Sequence, residues 1–247
     1  MERRSRDTVV RRGDGYTAHA SSRVPGALIA ELLADPAFPL SDSGARVVKN
    51  GDTTLVVRVA WRWDGRLVPV AYKCVRRLTW LKRLTQTIGT NRTWRTYRAG
   101  ERLAQLRIPT AVPLFILVPD RRRWRSPTWI ANEWLEGTHH LGEIVRDHGR
   151  TDQERRLDEL ARVLGISLGR LHRARGTHRD LKPENVMARL ADDQEPAGVW
   201  LIDLDGLRFR PWVAARRRWR DLSRLAVGID EVGGVCWSLR LRFLLAY

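Results

Sequence analysis

The run His178-Arg179-Asp180-Leu181-Lys182-Pro183-Glu184-Asn185 places a carboxylate, an amine and a carboxamide on one short stretch. That combination suits the transfer of a phosphoryl group. Asp180 can stand at an acceptor hydroxyl and take its proton. Asn185, five residues on, can offer an oxygen to Mg²⁺ from the same loop. Lys182 can neutralise charge on the group in transit. The competing reading is a polar loop without chemistry. The length of the run, set between a long helix and a β segment, argues against it.

Two further sets complete the chemistry. Leu201-Ile202-Asp203-Leu204-Asp205-Gly206 ends an apolar strand on a carboxylate, 23 residues beyond Asp180. Its place resembles that of the kinase D-F-G motif, and the resemblance makes Asp203 the expected second Mg²⁺ ligand, set against the β- and γ-phosphates of ATP. Asp205 projects from the same side and either assists the metal or bonds to the loop; the structural role is favoured. In Val70-Ala71-Tyr72-Lys73 the period of two puts Ala71 and Lys73 on one face. Small Ala71 would leave room for adenine, and Lys73 would reach the α- and β-phosphates. A surface lysine on a strand is the plain alternative, yet the chain has only four lysines, at 49, 73, 82 and 182.

Weaker candidates surround these. Gly51 is the one glycine in the segment 47–57, where backbone amides could cover phosphates, and there is no G-x-G-x-x-G. Glu101 is the only acidic residue between 91 and 107, and so the candidate partner for Lys73. Glu133 and Leu135 fall where backbone groups would bind adenine.

These residues need elements to hold them. Residues 1–25 read as a polar, loose lead-in, and 26–35 has helical apolar spacing that stops before Pro36. Segments 45–49 and 53–60 are β-like and flank Asn50-Gly51, a hairpin signal; 67–75 follows a turn at Asp64-Gly65. A helix over 91–107 is closed by Pro109. Two more strands, 111–118 and 128–135, are joined by an Arg-rich turn, giving five strands with one inserted helix. Past Gly137 the pattern is helical. A short helix covers 140–148. Thr151 and Glu154 form a capping box for a helix to about Arg173, with Leu157, Leu160, Ala161, Leu164, Leu168 and Leu171 on one stripe. Brief β segments at 186–188 and 199–202 and helices near 216–227 and 238–247 follow. The boundary between the halves is placed at Glu136-Gly137.

Composition bounds the class. Of 247 residues 43% are apolar and 30% charged, which fits a folded globular protein rather than a disordered one. No run of about 18 apolar residues is long enough to span a membrane. Residues 1–12 are basic and lack the apolar core of a signal peptide. Two cysteines exclude a disulfide framework and a Cys-based zinc site, and fit a reducing cytoplasm. Lys and Arg number 45 against 28 acidic residues, a net +17, and nearly all are Arg. That excess is either a codon bias spread over a solvated surface or a footprint for an anionic partner. The eleven Trp are scattered through predicted elements, which argues against a nucleic-acid binder.

The three motifs resemble those of the protein kinase-like superfamily: the H-R-D-L-x-x-x-N loop, D-F-G and the V-A-I-K strand. The finer resemblance is to the Kdo/WaaP lipopolysaccharide kinase family of Gram-negative bacteria, from about residue 45 onward. Val47-Val48-Lys49-Asn50-Gly51 is similar to that family's nucleotide hairpin. Trp94 through Ile108-Pro109-Thr110 is similar to its helix and "G-I-P-T" turn, with Arg107 where Gly is common. Arg217-Arg218-Trp219-Arg220-Asp221-Leu222-Ser223-Arg224-Leu225 is similar to its R-x-x-D-L-x-x-L helix, and Leu239-Arg240-Leu241-Arg242-Phe243-Leu244 to its closing helix.

The resemblance implies an α+β, two-lobed protein kinase-like fold. A lead-in with a short helix (1–44) would precede a five-stranded antiparallel N-lobe with one helix (45–136). A short, mainly helical C-lobe (137–247) would follow, stopping at Tyr247 where relatives continue. It implies ATP and Mg²⁺ as cofactors, and phosphorylation of a sugar hydroxyl of lipopolysaccharide core, Kdo or heptose. The protein would be cytoplasmic, peripheral at the inner membrane. Asp221 is expected to hydrogen-bond the catalytic loop from the helix behind it.

The acceptor can also be argued from residues. Between Asp203 and Leu222 there is no Ser, Thr or Tyr and no A-P-E, which a regulated protein kinase uses for a phosphosite and for docking peptide. Arg208, Arg210, Arg216, Arg217, Arg218 and Arg220 stand there instead, and Arg forks suit phosphates and carboxylates. A lipid-anchored anionic glycan at an anionic membrane surface fits such a segment; a solvated basic helix fits it as well. The alternatives are a minimal Ser/Thr protein kinase, suggested by Lys182-Pro183-Glu184, and a small-molecule kinase. From another class, a pseudokinase or basic binding module is the remaining reading.

Overall fold

The computed structural model describes residues 8–63, 65–76, 89–123, 126–148, 154–192 and 195–247. The Thr151–Glu154 capping box rests on residues outside that set, as does Asp64 of the second turn. The chain divides into two compact units. One comprises the residues up to Arg98 with Val112–Trp134, the other Ala99–Ala111 with Leu135–Tyr247.

The first unit is built on one antiparallel sheet. Its strands are β1 (Thr8–Gly13), β2 (Tyr16–Ser21), β3 (Arg46–Asn50), β4 (Thr54–Trp63), β5 (Arg66–Val75), β6 (Pro113–Pro119) and β7 (Thr128–Glu133), in the spatial order β1-β2-β6-β7-β5-β4-β3. The expected five strands are therefore seven among the described residues. The residues read as a loose lead-in form a hairpin, β1–β2, around Asp14-Gly15, where Gly15 takes φ +80. Strand β2 alternates strictly, with Tyr16, Ala18 and Ala20 buried. Its apolar positions are mostly alanine, so the alternation carries little hydrophobic weight in sequence. Helix α1 (Gly26–Ala34) covers them with Ile29, Leu32 and Leu33. Trp61, Phe115 and Trp129 pack their rings on Tyr72 at the centre.

The β3–β4 turn also differs from expectation. Asn50 is still in the strand, and Gly51 and Thr54 exchange backbone hydrogen bonds of 2.9 and 3.3 Å across the turn. A bulge between Val47 and Lys49 also shifts the register of the pair.

Helix α2 (Gly89–Gln105) packs Tyr97 on Ile116 and Ile130 of the sheet. It ends in a Schellman motif. Ile108 N–H donates to Leu103 O (2.9 Å) and Arg107 N–H to Ala104 O (3.0 Å), with Arg107 left-handed at φ +54.

In the second unit the elements are β8 (His139–His140), α3 (Leu141–His148), α4 (Glu154–Arg173), β9 (Gly176–His178), β10 (Val186–Arg189), β11 (Gly198–Leu201), β12 (Leu207–Phe209), α5 (Ala215–Glu231) and α6 (Trp237–Ala246). The apolar stripe of α4 supplies the core: Leu157, Leu160, Leu164, Leu168 and Leu171 are buried there with Leu181, Val186 and Leu201. Helix α6 lies backbone to backbone on α4. A Cβ on Gly165 would come within 2.5 Å of Phe243 O, and one on Gly169 within 2.5 Å of Tyr247 O. Among the described residues no helix is long and apolar enough to cross a membrane.

Candidate active site

Two small antiparallel pairings hold the catalytic stretch. Strand β9 pairs with β12, His178 opposite Leu207, and β10 pairs with β11, Val186 opposite Leu201. The chain leaves β9 into Arg179-Asp180 and returns into β10 from Asn185. It leaves β11 into Ile202-Asp203 and returns into β12 from Gly206. All four of these strand ends are thus brought to one side of the unit. Ile202 N–H donates to Asn185 O (3.0 Å), and Arg179 N–H to Gly206 O (3.3 Å). Gly206 packs closely there: a Cβ would sit 3.2 Å from Asp180 N.

The side chains follow from that frame. Asn185 is buried and donates through Nδ2 to Asp180 O (2.8 Å) and Asp180 Oδ2 (3.1 Å). Lys182 Nζ stands 3.9 Å from the same Oδ2, with both side chains about half exposed (49% and 59%). An exposed pair at that distance adds little to stability and keeps the amine available. Asp203 is exposed at the start of a single 3₁₀ turn and takes the left-handed conformation, φ +50. Such strain in a non-glycine residue costs about 1 kcal/mol or more and clusters at functional sites. The backbone O of Asp205 accepts from Arg208 Nη1 (2.9 Å).

The floor of the loop is a buried network. Asp221 of α5 accepts the His178 N–H on Oδ2 at 2.7 Å, so the expected bond from the helix behind the loop is present. His172 Nε2 reaches the same Oδ2 at 3.3 Å, and His178 Nε2 donates to Ile202 O at 3.2 Å. The Ile108-Pro109-Thr110 turn has a role here as well. Thr110 Oγ1 donates to Leu201 O (2.7 Å), and Leu201 N–H to Pro109 O (3.1 Å). It therefore steadies the strand that delivers Asp203. Sequence reasoning named Thr110 only as part of the turn's resemblance and did not single out His172. His172 closes the α4 stripe, and only the pairing of distant elements gives it a partner.

The other candidates lie as follows. Ala71 and Lys73 share the half-buried face of β5, while Val70, Tyr72 and Cys74 point into the core. Gly51 has no close neighbour, a Cβ there meeting only Thr54 O at 3.7 Å. Glu133 ends β7 and pairs with Arg23 at 3.3 Å. Leu135 accepts from Thr138 Oγ1 through its carbonyl (2.9 Å). Glu101 is half-buried on α2.

As donors the set fits a hard cation. Asn185 Oδ1 takes no hydrogen bond among the described residues, and Asp203 contributes an exposed carboxylate one residue beyond the Ile202–Asn185 bond.

A model of the lipopolysaccharide kinase (Kdo/WaaP) family matches residues 66–231, which takes in Lys73, the catalytic stretch, Asp203 and Asp221. The chain belongs to the Kdo/WaaP lipopolysaccharide kinase family. Members of this family are phosphotransferases that use ATP, and the chain is a kinase of that kind. A solved structure with the same fold is that of WaaP in complex with acyl carrier protein. It is 22% identical, with a TM-score of 0.60, over 86% of this chain and 82% of the other.

Proposed function

We propose that this Kdo/WaaP kinase transfers the γ-phosphoryl of ATP to a sugar hydroxyl of lipopolysaccharide core, Kdo or heptose, at the cytoplasmic face of the inner membrane. The observation that carries it is the two-pronged bond from Asn185 to Asp180, made at the end where Asp203 emerges. Asp180 orients the acceptor hydroxyl and takes its proton. Lys182 balances charge beside it. Asn185 and Asp203 are the residues that would hold Mg²⁺, which when bound neutralises charge on the β- and γ-phosphates. Lys73 holds the α- and β-phosphates, Ala71 leaves space for adenine, and the backbone of Glu133 and Leu135 contacts its edge. Gly51 would lie under the phosphates. Arg216, Arg217, Arg220 and Arg224 are exposed on α5, and support an anionic, lipid-linked acceptor.

The test is transfer of labelled phosphate from ATP to purified core glycan, to a generic protein and to small alcohols, wild type beside Asp180→Ala. Label on the glycan alone, lost in the variant, is the expected result. Label on protein or small alcohols alone would move the reading to those kinases. No ATP binding by wild type would move it to a pseudokinase.

An acyl carrier protein partner is a second reading, suggested by the complex in which WaaP was solved. An apolar cavity of about 320 Å³ in the second unit, lined among others by Leu160, Leu164, Leu225, Trp237 and Phe243, has room for an apolar chain. Saturable binding of the acylated carrier, absent with the unacylated one, is the expected outcome.

A further inference from the structure

Tyr247 is bonded to the floor of the catalytic loop. Its phenol oxygen lies 2.5 Å from His172 Nδ1, with the two rings edge to face. His172 Nε2 lies 3.3 Å from Asp221 Oδ2, and that oxygen accepts the His178 N–H at 2.7 Å. His172 and Asp221 are 1% and 2% exposed. The last link is the backbone of the residue that precedes Arg179-Asp180.

The donors can be assigned by elimination. A carboxylate only accepts, so His172 Nε2 carries the proton shared with Asp221. In the neutral form of an imidazole one nitrogen donates and the other accepts, so in that form Nδ1 accepts and the Tyr247 O–H donates. Burial pushes the Tyr247 phenol up, with Arg218 and Arg173 opposing and Asp221 adding to it, so the O–H is retained at neutral pH. Gly165, Gly169 and His172 share one face of α4, and the close seat of α6 on those glycines brings Tyr247 to the ring.

We propose that Tyr247 is a positioning residue for phosphoryl transfer: it fixes His172 in the Nε2–H tautomer and, through Asp221, holds His178 and hence Asp180 in place. The activity part of this rests on the kinase reading above; the structural part does not.

The test uses the full chain and three variants, Tyr247→Phe, His172→Gln and His172→Ala. Tyr247→Phe removes only the hydroxyl. His172→Gln keeps an amide donor near the Nε2 position and serves as the conservative replacement. Ring ¹⁵N spectra of histidine-labelled protein report the tautomer, amide exchange reports His178, and Mg²⁺·ATP turnover reports catalysis. In wild type the His172 ring is expected to be protonated on Nε2. In Tyr247→Phe the Nδ1 resonance moves, His178 N–H exchanges about tenfold faster, and kcat falls about five- to tenfold while KM for ATP stays within about twofold. His172→Gln is expected to retain more activity than His172→Ala. A wild-type ring protonated on Nδ1, or unchanged exchange in Tyr247→Phe, overturns the proposal. Faster exchange with unchanged kcat overturns the positioning role. If wild type does not turn over ATP the kinase reading fails separately, and the spectra and exchange still decide the link.

Discussion

The side-chain amide of Asn185 holds Asp180 by two points at once, the backbone oxygen at 2.8 Å and Oδ2 at 3.1 Å. Both of its N–H donors are thereby used on the residue that would take the acceptor's proton, while its own oxygen is the atom that would be offered to a cation. Positioning and metal binding would then share one side chain. Asn185→Ala is therefore expected to lower kcat about a hundredfold or more and to raise the Mg²⁺ concentration for half-maximal rate about tenfold. A Mg²⁺ titration of turnover measures both, and a change in only one would separate the two roles.

Asp180→Ala addresses the proton alone. Loss of a general base typically costs roughly 10²- to 10⁴-fold. ATP affinity, measured by calorimetry, should stay within about threefold, because Asp180 faces the acceptor rather than the nucleotide in this assignment. Asp203→Ala should do the reverse and weaken Mg²⁺·ATP binding itself.

Arg107 occupies a left-handed position, φ +54, that glycine adopts without penalty. Arg107→Gly is expected to stabilise the protein by about 0.5–1 kcal/mol. Denaturant unfolding should show this as a raised midpoint at constant slope. An unchanged or lower midpoint would mean that the Arg107 side chain contributes more than its backbone costs.

Tyr72 and Cys74 give the first unit an alkaline limit. Burial pushes the Tyr72 phenol well up, and pushes the Cys74 thiol up against the opposing pull of Arg76. The folded chain then holds these protons more tightly than the unfolded one. Their contribution is complete below the ordinary values of about 8.5 and 10, and is lost as pH rises past them. Thermal midpoints should fall steadily above about pH 9. Tyr72→Phe should lower stability near neutrality by about 1 kcal/mol, since the 2.8 Å bond to Pro36 O is lost, yet flatten the alkaline fall.

The candidate site was legible because it is contiguous. Asp180, Lys182 and Asn185 lie on one loop, and the structure brings their side chains together. The Asp221 contact was also legible, since its helix motif is short and local. Three features were not. The 8–21 hairpin buries alanines, so its alternation is faint until α1 covers it. The β3–β4 reversal lies past Asn50-Gly51, and its pair carries a bulge that no residue type announces. The Tyr247–His172 contact joins residues 75 apart and depends on two glycines of α4 admitting another backbone, a tertiary fact.

Among the described residues the seven-stranded sheet has two margins without a further strand, β1 and β3. Each exposes a pair of valines, Val9-Val10 and Val47-Val48, of the kind that recruits a neighbouring chain by strand addition. Each also carries cations in the same few residues: Arg11 and Arg12 on one margin, Arg46 and Lys49 on the other. A second molecule approaching edge to edge would bring like charges together. Part of the cationic excess therefore serves solubility and would be kept whatever the protein phosphorylates. Neutralising Arg11, Arg12, Arg46 and Lys49 would cost little in folding and invite fibrous self-association.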